Sequence, residues 1–271
     1  SWEITTSNST YKARNLVIST GSNPKIWQLL ASLGHTIIPP VPSLFTFNTS
    51  TQWAKELSGI AVNATVHLFS QGGKSLKITE TAPLLFTHNG FSGPAVLRAS
   101  AWGARILAEC NYQCLMEVNF TAHNSETLTY DEMLLFLQDC KQQNGRKTMQ
   151  NFTLFELPKR LWNSLLDSAG IAPAQLWAEL NKSQLRHLAE ILTQCRFPIE
   201  GKATFKEEFV TAGGVKLSEI NFKTYESKLH PHLYLAGEVL DIDAITGGFN
   251  FQNAWTGGYI IAENFVVKNS K

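Results

Sequence analysis

The 271-residue sequence predicts an α/β protein with inserted domains, in which a sheet-and-helix domain at the two ends of the chain is interrupted by a β module and then a small helical one. Three observations predict this. Strand-then-helix patterns stand near both termini, in "NLVISTGSNPKIWQLLASLG" and again from "LYLAGE" onward. Between them come first short segments of alternating polarity, then segments with apolar residues at helical spacing. The composition, 44% hydrophobic against 17% charged, is that of a chain with a sizeable packed core rather than a disordered one.

Each element follows from its own residues. "YKARNLVISTGS" reads as a buried strand, Leu16 to Ser19, ending at Gly21. "PKIWQLLASLG" reads as a helix with Pro24 in its first turn and Gly34 at its C-terminal cap. The prolines of "PPVPSLFTF" mark a boundary, because proline continues neither helix nor central strand. "ATVHLFS" and "SLKITE" alternate about "QGGK", a hairpin signal. In "PLLFTHNGFSGPAVLRAS" a glycine-rich turn precedes a short helix from Pro94, and "YQCLMEVNF" is a further strand. "YDEMLLFLQDCKQQNG", "LPKRLWNSLLDSAG" and "SQLRHLAEILTQC" are helices, the last with Ser183 as expected N-cap. Their stripe of Leu161, Trp162, Leu165, Leu166, Leu188, Ile191 and Leu192 reads as core. After "RFPIEG", "ATFKEEFVTAGGV" and "LYLAGE" are strand-like, and a last helix runs from about Phe249 to Val267.

Several classes of function are disfavoured. A net charge of +1 makes no electrostatic case for nucleic acid or an anionic membrane, and no apolar run reaches the length of a membrane span. "SWEITTSNSTYKAR" has no signal-peptide pattern and reads like the middle of a domain, so a truncated or processed chain from a cytoplasmic protein is expected. Cys110, Cys114, Cys140 and Cys195 have no zinc spacing and read as free thiols. His230 and His232 lack a third ligand in the sequence pattern, and Ser92 in "GFSGP" has the wrong spacing for a hydrolase elbow.

Chemistry concentrates near the C-terminus. In "HLYLAGEVLDID" a buried strand delivers Gly237 and Glu238 to its carboxyl end, where open α/β sheets bind ligands. Glycine permits close approach, and an ionised carboxylate accepts hydrogen bonds from hydroxyls such as those of a polyol. In "TGGFNFQNAWTGG", Gly247 and Gly248 leave free N–H groups at the start of a helix, an anion-favouring end. Gly257 and Gly258 each cost about 1 kcal/mol inside that helix relative to alanine, which points to close packing against a sheet or ligand. Thr20 and Gly21 end the first strand where a helix starts, a common phosphate- or cofactor-facing junction in doubly wound sheets.

The segments "VTAGGV", "TYESKLHPHLYLAGEVLDIDAITGGFNFQNAWTGG" and "LLFTHNGFSGPAVLRAS" resemble the signatures of the HI0933-like family of NAD(P)/FAD-dependent oxidoreductases, also called BaiN-like or aminoacetone-oxidase-like. The resemblance implies a doubly wound FAD-binding domain interrupted by a β-barrel-like domain and a small helical domain. On this sequence that places the remnant of the FAD-binding domain at 1–38 and 216–271, the barrel-like domain at 39–122 and 199–215, and the helical domain at 123–198. It also implies that Gly237 and Glu238 lie near the ribityl–pyrophosphate part of FAD, and that Gly247, Gly248, Phe249, Asn250 and Phe251 line the flavin ring. Thr20 and Gly21 would match the family's strand end. The family's opening strand–GxGxxG–helix does not occur in this sequence. The expectation is therefore part of a flavoprotein, with FAD as cofactor of the intact parent, bound weakly or not at all by this chain alone. The same expectation takes NAD(P)H as a possible reductant, an organic small molecule as the substrate and the missing N-terminal segment of the same protein as the partner. The alternative is a non-catalytic binding module derived from such a protein.

Overall fold

The computed structural model describes residues 1–122, 126–202 and 210–269, with side chains as far as Val266. The chain divides into two compact units, Ser1–Ser43 with Glu208–Lys271, and Leu44–Glu207.

The first leg of the terminal unit opens with an antiparallel hairpin, β1 (Trp2–Thr5) and β2 (Thr10–Ala13), followed by β3 (Leu16–Ile18), α1 (Pro24–Ser32) and β4 (Ile37–Ser43). The start of α1 is fixed by two residues. The Asn23 side chain accepts from the Lys25 amide at 3.0 Å, and Pro24 brings a preset φ to a position whose N–H would go unused. Trp27 and Leu30 form its buried face, and the helix stops where Gly34 turns left-handed at φ +93°.

The inner unit is a barrel with helices. Its elements are β5 (Phe47–Thr49), α2 (Gln52–Glu56), β6 (Ala61–Phe69), β7 (Ser75–Phe86), β8 (Gly90–Ser92), α3 (Pro94–Trp102), α4 (Ala104–Glu109), β9 (Cys114–Asn119), α5 (Tyr130–Gln143), α6 (Lys159–Ser168), α7 (Lys182–Gln194) and β10 (Cys195–Lys202). Six antiparallel strands close in the order β10-β5-β8-β7-β6-β9, which leaves no free sheet edge in the barrel. Phe91 stands at its centre, 5.3 Å from the Phe86 ring and 4.7 Å from that of Phe197. The 39–122 stretch thus supplies five of the six strands, and "RFPIEG" lies in β10, the strand that closes the barrel. The helical stripe is core: all of it is buried except Ile191, which packs half-buried against the rest. The expected cap of α7 is corrected. Asn181, not Ser183, is the N-cap, and its side chain takes the Gln184 amide while Gln184 returns to the Asn181 N–H.

The second leg of the terminal unit comprises β11 (Val210–Val215), β12 (Ile220–Asn221), β13 (Glu226–Ser227), β14 (Leu233–Leu235) and α8 (Phe249–Asn269). The first part of the expected strand "ATFKEEFVTAGGV", residues 203–209, lies outside the described residues. A second correction concerns the prolines. Ile37–Ser43 is a strand despite Pro39, Pro40 and Pro42, because among the described residues it pairs only with β11, in a two-stranded ribbon where one edge needs no donors. Of the glycines of "VTAGGV", Gly213 answers to that ribbon and Gly214 to the segment after β14. A Cβ on Gly213 would stand 2.6 Å from the Pro40 backbone, and one on Gly214 2.7 Å from the Val239 carbonyl. The remaining sheet runs β12-β13-β14-β3, with β14 and β3 parallel. Over it α8 packs Ile261 and Phe265, the latter edge-on to Tyr234 at 5.0 Å.

Candidate functional site

Two parallel neighbours make the site. β3 and β14 pair in register, Leu16 with Leu233 and Ile18 with Leu235, so both end at the same edge. There the Ala236 amide still donates to the Ile18 carbonyl at 3.1 Å, and Thr20–Gly21 and Gly237–Glu238 emerge side by side. An open cleft of about 690 Å³ lies at this edge, lined by Thr20, Gly21, Ser22, Asn23, Pro24, Lys25 and Glu238. Gly21 (φ +65°) and Gly237 (φ +76°) hold left-handed turns, and a Cβ on Gly21 would meet open space. The amino end of α1 faces the cleft with Lys25 in its first turn. Burial pushes the Glu238 carboxyl above its ordinary range, an effect partly offset by a hydrogen bond from the Thr211 backbone.

Gly237 and Gly247 to Phe251 do not line that cleft. Gly237 instead approaches α8, where an added Cβ would lie 3.7 Å from that of Ala254. Gly247 (φ +127°) and Gly248 (φ +84°) lead into α8, and a Cβ on Gly248 would meet nothing. Asn250 grips the preceding loop, accepting from the Ala244 amide and donating to the Ala244 carbonyl, both at 2.9 Å. Phe249 and Phe251 are 54% and 68% exposed, and the Phe251 ring stacks on Trp255 at 6.0 Å. Gly257 packs closely on the sheet as expected, since a Cβ there would stand 2.9 Å from the Tyr225 ring. Gly258 does not; it faces open space.

Ser22, Asn23 and Lys25 were not singled out in the sequence, although "TGSNPK" after an apolar strand carries the signal of a capped helix start. The sequence also hid a buried relay. His35 Nδ1 lies 2.8 Å from Glu219 Oε2, and its Nε2 lies 3.1 Å from Ser227 Oγ. Ser227 Oγ already accepts the Leu229 and His230 amides at 3.1 and 3.0 Å, so its proton goes to Nε2 and Nδ1–H donates to Glu219. Burial raises the Glu219 carboxyl, but hydrogen bonds from Thr36 and His35 outweigh it and hold the group below its ordinary range. The order Ser–His–Glu is that of a hydrolase. Ser227 is nonetheless 5% exposed with its oxygen committed to two amides, and the relay ties loops together. Among the described residues no cluster of His, Cys, Asp or Glu could hold a metal. The cysteines are free thiols, and burial pushes Cys114 and Cys195 up to about 12, which leaves them poor nucleophiles. No described helix is long and apolar enough to cross a membrane.

Comparison with known proteins bears on both units. Residues 41–210 match the family profile described as HI0933-like protein barrel and H2TH domain. Over 267 residues the chain is 31% identical to a ribosomal RNA dihydrouridine synthase of Haemophilus influenzae, covering 94% of this chain and 61% of that protein. A ribosomal RNA dihydrouridine synthase of Escherichia coli is 29% identical over 92% of this chain and 58% of its own length. A 3-dehydro-bile acid delta(4,6)-reductase of Clostridium scindens is 30% identical over 89% and 58%. The chain thus spans about three-fifths of these relatives.

Proposed function

The chain belongs to the HI0933-like family, and from that premise we propose that it forms the flavin-facing and substrate-facing parts of an FAD-dependent oxidoreductase. The observation that carries the proposal is the shared carboxyl edge of β3 and β14, with its cleft and its left-handed glycines. This edge fits an extended nucleotide-like ligand. Open space beside Gly21 and Gly248 admits ligand atoms where any side chain would intrude. Glu238, once ionised, accepts from ligand hydroxyls, while the amino end of α1 and Lys25 favour a negative group. Gly247 and Gly248 present backbone donors at the head of α8, which favours negative charge on a flat ring, and Phe249 and Phe251 supply apolar surface beside it. FAD, when bound, supplies the hydride chemistry. The chain's residues bind, orient and set the electrostatics. The cradle for the adenosine end is proposed to come from a further segment bearing the GxGxxG turn, with NAD(P)H as the reductant and the cytoplasm as the setting.

The relatives' names narrow the substrate class. Making dihydrouridine and removing a 4,6-unsaturation from a 3-dehydro steroid both add hydrogen across a carbon–carbon double bond conjugated to a carbonyl. The proposed acceptor has that chemistry. The test is anaerobic turnover by the protein as its cell makes it, with NADH or NADPH, on a steroid 4-en-3-one and on unmodified ribosomal RNA. Flavin-dependent saturation of either supports the reading, and selects between small molecule and RNA. A flavin-loaded protein that oxidises NAD(P)H but saturates neither would contradict the substrate class.

A further inference from the structure

Helix α1 is held at both ends, and one end is the cleft. Asn23, Pro24 and Lys25 bring its amino end into the cleft wall. Within the next turn, buried Trp27 donates its Nε1–H to the Val239 carbonyl at 2.9 Å, one residue past Glu238. The carboxyl end is clasped by the His35 relay. There the Leu33 carbonyl accepts from the His230 ring, and the Thr36 amide donates to both Glu219 oxygens at 3.2 and 3.1 Å. The His35 ring stands between Glu219 and Ser227. A helix of nine residues moves as a rod, so a change in the clasp is felt at the cleft.

The hydrogen bonds of the clasp require a neutral imidazole. Ser227 Oγ has both acceptor sites filled by the Leu229 and His230 amides, so its proton goes to Nε2 of His35. A proton added at Nε2 would set an N–H against an oxygen with no acceptor site left. Glu219 keeps the charged ring on its own side, since burial raises its carboxyl but the bonds from Thr36 and His35 hold it ionised. Ser227 is therefore the member that yields, and the amide it drops belongs to His230, whose ring grips Leu33. The other charged or titratable neighbours are His230 itself, its ring centroid 5.9 Å from that of His35, and the exposed Lys216 and Lys228, the latter donating to the Ser218 carbonyl at 2.8 Å. From β1, the uncharged Trp2 meets His230 edge-on. Charging both rings adds repulsion in the same direction.

We propose that this clasp is an acid-sensitive latch on the cleft. Closed around neutral His35, it sets α1 and Lys25 beside Glu238 in the geometry that takes a nucleotide-like ligand; protonation of His35 opens it and weakens binding. The proposal rests on the flavin reading of the cleft and concerns the regulation of that site. Histidine suits the task because its charge changes between about pH 5 and pH 8. His35 does not line the cleft, and its role is positioning.

The test takes the protein as its cell makes it, stripped of flavin, with FAD as the probe. The dissociation constant should rise roughly tenfold between about pH 7.5 and about pH 5.5. His35→Asn keeps a donor for Glu219 but takes no proton, and should change less than about twofold over that range. Equal affinity at both ends of the range overturns the latch and leaves the flavin reading. So does a fall that His35→Asn retains, which would assign the titration to Glu238. A circular-dichroism melt shows whether the variant folds, and a second measurement needs no variant. In two-bond proton–nitrogen spectra of protein carrying nitrogen-labelled histidine, His35 should be the Nδ1–H tautomer at about pH 7.5. On its protonation the His230 amide should lose its hydrogen-bonded shift and its protection from exchange. A ring that stays neutral to about pH 5, or one that protonates while the His230 amide is unmoved, overturns the latch whether or not flavin binds. A protein that takes up no FAD at any pH, although His35 and the His230 amide respond together, sinks the flavin reading and leaves the clasp's response to acid standing.

Discussion

Glu238 lies among groups that suit an anion, yet burial raises its carboxyl above the ordinary range. Below its ordinary value of 4.5 the protonated form sits in the cleft without penalty. As pH rises through that value and the higher folded one, ionisation costs stability, because the folded state holds the proton more tightly than the unfolded one. In thermal melts of the chain between about pH 4 and pH 7, Glu238→Gln should therefore gain on the parent as pH rises. A gap that does not change with pH would mean the carboxyl is fully solvated. Glycines make the other residue-scale prediction. At Gly90, φ is +153° and a Cβ would stand 2.2 Å from the Phe47 carbonyl, so Gly90→Ala should cost on the order of 3 kcal/mol by denaturant unfolding. Gly21→Ala, with open space around its Cβ position, should cost only the strain of its φ, about 1 kcal/mol. The sequence announced where glycines cluster. It could not say which of Gly257 and Gly258 touches the sheet, because that depends on the angle at which α8 lies.

At the level of elements, local signals served wherever local physics decides. The Pro24 helix start, the "QGGK" hairpin and the three apolar helices each rest on neighbours within a few residues. Where a distant partner decides, the sequence was silent. A strand with three prolines exists because β11 needs only one of its edges, and Cys195–Lys202 is a strand because β9 and β5 flank it. The cap of α7 turned on a two-residue choice between Asn181 and Ser183. Asn181→Ala should lower stability by about 1 kcal/mol, whereas Ser183→Ala should stay within about 0.5 kcal/mol. Equal losses in chemical denaturation would return the cap to Ser183. In the relay, His35→Ala strips Glu219 of one of its hydrogen bonds and empties a buried site, with an expected loss of about 2–3 kcal/mol.

For the whole molecule, the order of α/β, β, helical and again α/β segments could be read from changes of period along the chain. The closure of the barrel could not, since it requires β10 to meet β5 across about 150 residues of sequence, a pairing that no local pattern encodes. The candidate site was legible in half. Thr20, Gly21 and Glu238 meet at one cleft, while Gly247 to Phe251 stand at the head of α8 outside it. The division follows from geometry, because residues that end two paired parallel strands must lie side by side, whereas a loop of ten residues after Glu238 leaves the helix start free of that constraint. The central claim is that this edge serves a flavin. The measurement that tests it most directly is the flavin content of the protein purified from its own cells, released by heat and identified by chromatography. The account predicts FAD at about one per chain, lost when Gly21 and Gly248 are both replaced by valine although the fold persists by circular dichroism. A colourless protein that takes up no added FAD would contradict it.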